Sequence, residues 1–147
     1  MSTTFSPARV GSCRLVASEA ELAGHYAVRR AGFVEAQGLF EDDRDEHDGF
    51  ALHAVAVADG AVVGTVRLYP LQGSLWKGDR LAVLPGHRFG AELVNFAVRS
   101  AGERGGSRMV AQVQVANVRF FERLGWSCDG EAAPYRGVMH QPMAIAL

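Results

Sequence analysis

Between Asp79 and Val94 the chain changes its period. Asp79-Arg80-Leu81-Ala82-Val83 alternates as a strand does, and Leu84-Pro85-Gly86 ends it. From Gly90 onward, Leu93, Phe96, Ala97 and Ala101 recur at helical spacing. A strand feeding a helix through a turn that carries His87, Arg88 and Gly90 gathers backbone N–H groups and the positive end of a helix dipole. Such a segment is either an anion-binding turn or a plain crossover between a strand and a helix.

The flanking segments are consistent with a mixed α/β (α+β) domain. Ser18 with Glu21 three residues on reads as a capping box, opening a helix that brings Leu22, Tyr26, Arg29 and Phe33 near one another. Cys13 to Ala17 is expected as a strand before it, and residues 1–10 as a loose N-terminal tail. His53–Ala58 and Ala61–Tyr69 are two apolar strands joined by Asp59-Gly60, the residue pair that supplies the positive φ of a type I′ turn. Pro70–Gly78 reads as a longer loop bearing Trp76 and Lys77. A helix over Gly90–Glu103 should stop at Gly105-Gly106, and Met109–Val115 should return as a strand.

The 147 residues suit one domain over 1–147, and 48% apolar with 21% charged residues argues against a disordered chain. A net charge of −1 offers no electrostatic case for nucleic acid or an anionic membrane. No apolar run could span a bilayer and the N-terminus lacks a signal-peptide core, so a cytoplasmic protein is expected. Cys13 and Cys128 suggest neither a disulfide framework nor a zinc site. The run Glu41–Asp48 imitates a calcium loop, but the glycine and the distal glutamate are missing, and no metal is expected.

Several ordered motifs resemble the GNAT acetyltransferase superfamily, roughly from Tyr26 to Met143. Val83-x-Pro85-x-x-Arg88 followed by Gly90-x-x-Leu93 resembles its acyl-CoA motif. Tyr26-x-x-Arg29-Arg30-x-x-Phe33-Val34-Glu35-x-Gln37 is similar to the first helix of a branch of small bacterial acetyltransferases and acyl-homoserine-lactone synthases, as are Asp45, Asp48 and His53. Asn117 through Phe120-Phe121 to Gly125-Trp126 resembles the family's ending, and Gly137-x-x-His140-x-x-Met143 the branch's closing strands. There is also similarity to a subfamily encoded beside nitrilases in bacterial nitrogen-metabolism clusters.

The resemblance implies a mostly antiparallel mixed sheet whose fourth and fifth strands splay apart, flanked by helices, with acetyl-CoA entering the gap. It implies that the main chain of Leu81, Ala82 and Val83 binds pantetheine and polarises the thioester carbonyl. Arg88 and the amides of Phe89, Gly90 and Ala91 would hold the diphosphate, while Asn117 and Phe121 lie along the arm. The implied reaction is direct attack of a small primary amine. Such an amine is nucleophilic in only about one molecule in a few thousand at neutral pH, so a proton acceptor is needed. Asp79, Glu35 and His140 are the candidates, and Arg29, Trp76 and Tyr135 the candidate acceptor-site residues, with the acidic loop solvated at the acceptor's mouth. A homodimer is left open.

Two departures stand out. Arg88 runs straight into Phe89-Gly90, which makes the phosphate loop shorter than the family's and predicts weakened CoA affinity. The tyrosine that often meets the leaving thiolate is replaced by Phe121. Both favour, as the alternative reading, a catalytically idle GNAT-like domain that binds a ligand or a protein partner.

Overall fold

The computed structural model describes residues 11–147. The tail expected at 1–10 lies outside the described residues. Among the described residues, eight strands form a single sheet: β1 (Gly11–Leu15), β2 (Leu52–Ala58), β3 (Ala61–Gln72), β4 (Leu75–Val83), β5 (Arg108–Gln114), β6 (Ser127–Cys128), β7 (Ala133–Tyr135) and β8 (Val138–Ala146). Their order is β1-β2-β3-β4-β5-β8-β6, with β7 on β8, and every pairing is antiparallel except β4 with β5. The helices are α1 (Glu19–Arg29), α2 (Gly90–Glu103) and α3 (Val118–Arg123). This is the mixed, mostly antiparallel sheet with flanking helices that the motifs imply. No helix among the described residues is long and apolar enough to cross a membrane.

Local chemistry explains the element ends. The Glu21 amide donates to Ser18 Oγ (3.1 Å), and the Glu21 carboxylate returns to the amide of Ala17 (3.0 Å), so α1 begins where the capping pattern says. Asp59 and Gly60 sit at φ 51° and 80° and close the β2–β3 hairpin. α2 spans Gly90–Glu103, the range its apolar spacing marks.

Pro70–Gly78 is not a loop. β3 continues to Gln72, Gly73 at φ 60° turns the chain with Ser74, and β4 starts at Leu75, with Pro70 opposite Trp76. Pro70 has no N–H to contribute to the ladder, and the register slips between Pro70 and Gln72. A proline normally argues against a strand interior; here it lies near the strand's end.

β3 organises both layers. Gly64, Val66 and Leu68 face α2, where a Cβ on Gly64 would come within 2.9 Å of the Leu93 side chain, so glycine allows the helix to close on the sheet. The alternate residues Thr65, Arg67 and Tyr69 face α1 and the acidic loop. All six are buried. One face of the strand is an apolar core with Leu93, Val94, Ala97 and Met109; the other is a sealed polar layer.

Candidate active site

The site begins with a fault in β4. Opposite β3 the register shifts between Ala82 and Asp79, and Arg80 in the bulge takes φ 54°, a left-handed conformation rare for a residue with a side chain. β4 and β5 pair in parallel only where Leu75–Lys77 meet Arg108–Val110. Beyond Lys77 the two strands part, as the fourth and fifth strands were expected to do.

The parting opens a cleft of about 420 Å³. Gly78–Leu81 of β4 form one wall, and Ala111–Gln114 with Asn117 the other. Val66, Val94, Ala97, Met109, Phe121 and Trp126 make an apolar floor. Phe33, Leu39, Phe40, Tyr135 and His140 close the outer end. Phe33 lies in a π-helical turn, Arg30–Ala36, in which the Gln37 amide reaches back to Gly32 O (3.2 Å). Gln114 Nε2–H donates to Gln37 Oε1 (2.7 Å), tying that turn to the end of β5.

Backbone groups line the gap as well. The Leu84 amide donates to Val63 O (2.8 Å), so by strand alternation Ala82 directs its N–H and C=O at β3 while Val83 and Leu81 direct theirs into the gap. The indole N–H of Trp126, a residue only 4% exposed, is buried without a partner among the described residues.

Six of the expected site residues line the cleft: Asp79, Leu81, Asn117, Phe121, Tyr135 and His140. His140 is 7% exposed, and its Nδ1–H donates to Val138 O (2.7 Å). With Nδ1–H so committed, the lone pair of the uncharged ring lies on Nε2. Asp79 is less free. Both its oxygens accept from Arg67, at 2.8 Å from Nε–H and 2.7 Å from an Nη–H, so it anchors a buried guanidinium.

Other expectations need correction. Glu35 is exposed on the π-helical turn, 3.6 Å from Arg30, and does not line the cleft. Trp76 lies at the closed end, opposite Met109 where the strands still pair, and packs against Gly106. Arg29 is fully buried and cannot line an acceptor site. Arg88, Phe89, Gly90 and Ala91, expected to hold the diphosphate, stand at the start of α2, beside the cleft and not in its lining.

The acidic loop is the largest correction. Asp43, Asp45 and Asp48 turn inward onto three arginines instead of facing solvent. Arg29 donates to Asp43 Oδ2 (2.6 Å) and to both Asp48 oxygens (2.6 and 3.1 Å). Arg67 donates to both oxygens of Asp45 (2.6 and 3.1 Å) as well as to Asp79. Arg80 donates to Asp43 O (2.9 Å) and Asp45 (3.3 Å). Burial works to raise the Asp48 and Asp45 carboxyls, but hydrogen bonds from Arg29 and Arg67 respectively outweigh it and hold both below the usual range. Asp45 and Asp48 also cap a short turn, through the amides of His47 (3.0 Å) and Asp45 (2.9 Å).

Beside this cluster, His53 Nε2–H donates to Asp48 O (2.9 Å), and His53 Nδ1 meets His25 Nε2 (2.9 Å). The further contact of His25 Nδ1 with Thr65 Oγ1 completes a buried chain. Burial, then the neighbouring His53, push the His25 imidazole down to about 3. Asp45, only partly covered by the arginines, also comes together with Glu46 and His47 at the surface.

Comparison with known proteins follows the geometry. Residues 16–126 match the model of the acetyltransferase (GNAT) family. This chain is a member of the GNAT acetyltransferase family. A Bacillus subtilis (strain 168) protein that carries a provisional acetyltransferase name is 30% identical over 132 residues, covering 85% of this chain and 89% of its own. Among solved structures, an N-acetyltransferase assigned provisionally in Lactobacillus plantarum superposes with TM-score 0.85 at 26% identity, over 95% of this chain and 99% of its own. Escherichia coli ElaA superposes at 0.81 and 19% identity, over 92% and 99%; at that identity the likeness concerns the GNAT fold alone.

The sequence reading missed Lys77, Arg80, Phe40 and the apolar floor apart from Phe121. Phe40 follows the motif helix after a glycine at φ 63°, Gly38, a break that hides its return to the cleft. Arg80 carried no local sign that it occupies a bulge.

Proposed function

We propose that the cleft is an acyl-transfer site, in which a small primary amine attacks the thioester of acetyl-CoA directly. The observation that carries this reading is His140: a buried imidazole on the cleft, with Nδ1–H committed to a carbonyl and Nε2 left as a proton acceptor. The amine nitrogen adds to the thioester carbonyl as its C–N bond forms. The amine's proton passes to His140 Nε2. The carbonyl oxygen, negative for that moment, is met by the gap-facing amides of Val83 or Leu81. The C–S bond then breaks, its electron pair leaves on sulfur, and the proton held by the imidazole restores the thiol. Phe121 has no hydroxyl to assist that departure, whereas the Tyr135 ring lies 5.5 Å from that of His140.

Thiol release from acetyl-CoA, measured against a panel of primary amines, tests the reaction. His140→Gln is expected to lower kcat by about 10²–10⁴-fold with the fold intact. An unchanged kcat would remove His140 from the proton path. The second reading is a ligand-binding GNAT domain without turnover, favoured by Phe121 in place of a tyrosine. It predicts a thermal shift with CoA and no thiol release with any amine.

A further inference from the structure

Each carboxylate of the buried cluster meets an arginine, yet one cation on the cleft meets no acid. Lys77 is half-buried and lines the cleft. Among the described residues its ammonium has neither an ion-pair nor a hydrogen-bond partner. An ammonium half withdrawn from water without a counter-ion is costly, and a bound anion offsets that cost.

The sheet sets where this charge stands. Lys77 lies opposite Tyr69 of β3 and Val110 of β5, the last pair before β4 and β5 part. It shares a face with Asp79, two residues along and opposite Arg67. Asp79 cannot answer it, because both its oxygens accept from Arg67. The bulge adds a second donor to this wall. Alternation from Asp79 would send Arg80 to the apolar face, but its φ of 54° turns the side chain back onto the polar one. There Nε–H and one terminal nitrogen reach Asp43 and Asp45, while Nη1 makes no hydrogen bond among the described residues.

His140 looks onto the same face from the far wall. It lies opposite Gln114 of β5, four residues beyond Val110, whereas Ala111 and Val113 between them turn into the apolar core. Four residues are roughly 13 Å along a strand, which side chains leaning into the gap shorten. The thioester and pantetheine arm expected in the cleft carry no charge. The anion that answers Lys77 therefore belongs to the acceptor.

We propose that the acceptor is an anionic amine, an amino acid in the simplest case, whose reacting nitrogen lies several bonds from its charge. Lys77 binds the anion while the amine meets His140. The proposal rests on the acyl-transfer reading above and names the substrate class of that site. Carboxylate and phosphate share the recognised chemistry, since an ammonium acts as a point charge.

Thiol release from acetyl-CoA is measured with β-alanine, γ-aminobutyrate and ε-aminocaproate, with the primary amide of each, and with aminohexyl phosphate. The longer acids are expected to exceed their amides by about ten- to a hundredfold in kcat/KM. Aminohexyl phosphate above ε-aminocaproate would assign the anion to a phosphate, and below it to a carboxylate. Lys77→Met should bring each acid down to its amide by raising KM, and Lys77→Arg should keep the difference. Acids no better than amides in the native protein, or an acid preference that survives Lys77→Met, would overturn the proposal and leave acyl transfer standing. So would a Lys77→Met variant with a lower urea midpoint that weakens acids and amides alike, the mark of a lysine that only offsets the clamp's fourth carboxylate. No thiol release with any amine would take down both readings.

Discussion

Phe121 is a residue whose side chain lacks one atom the chemistry could use. It is buried, lines the cleft floor, and packs edge to face with Trp126, the ring centroids 5.3 Å apart. A hydroxyl added at the ring's tip could protonate the departing thiolate. Phe121→Tyr is expected to raise kcat, up to about a hundredfold where thiolate departure limits turnover, and to leave KM for the donor nearly unchanged. Steady-state thiol release checks this, and a lower kcat with a poorer melting curve would mean the hydroxyl is buried without a partner. The same scale shows where sequence reading failed. Asp79 and Arg29 are charged residues expected at the site, and both serve buried ion pairs. No local pattern distinguishes a charge that meets a substrate from one that meets another side chain from a distant segment.

At the scale of elements, the acidic loop and β3 form a clamp. Three aspartates close over the polar face of the sheet, and Arg67 joins the loop to β4 by binding Asp45 and Asp79 together. Its side chain is 1% exposed, so removing it strands carboxylates that lack other full compensation. Arg67→Met is expected to cost about 3–5 kcal/mol in urea unfolding. Arg30→Ala, which breaks only an exposed pair with Glu35, should cost less than about 1 kcal/mol. Equal effects from the two substitutions would show that the clamp adds nothing beyond an ordinary surface pair. The clamp also braces the bulge at Arg80, in the part of β4 that has already left β5.

At the scale of the whole molecule, these buried groups set a pH dependence. Unfolded, His25 takes up a proton near its ordinary 6.5; folded, it resists until about 3. Between those values the unfolded chain binds more protons, so stability falls as pH falls. The depressed carboxyls of Asp45 and Asp48 stabilise the fold fully above their unfolded value of 3.8, and that contribution is lost as pH drops toward their folded values. Urea midpoints should therefore hold steady above about pH 7, decline below about 6.5, and fall more steeply below about 4. A His25→Gln variant should flatten the upper part of that slope, and a midpoint independent of pH down to about 4 would show that His25 is not held neutral.

Much of the fold was legible in the sequence because its signals are local. Asp59-Gly60 turns because those residues accept positive φ, α1 starts at Ser18 because a hydroxyl caps an amide, and α2 follows its own apolar spacing. The ordered motifs carried the family for the same reason: each is a short run of neighbours. What only the tertiary structure decided is which groups meet across the chain. β3 reads as an apolar strand, yet it also carries Arg67 and Thr65, which are buried because a loop about twenty residues earlier folds over them. The loop looked solvated, yet its aspartates point inward because three arginines wait there. Along a chain a charge's partner is undetermined; its burial and its role are set by whichever opposite charge the completed fold brings within a few ångströms.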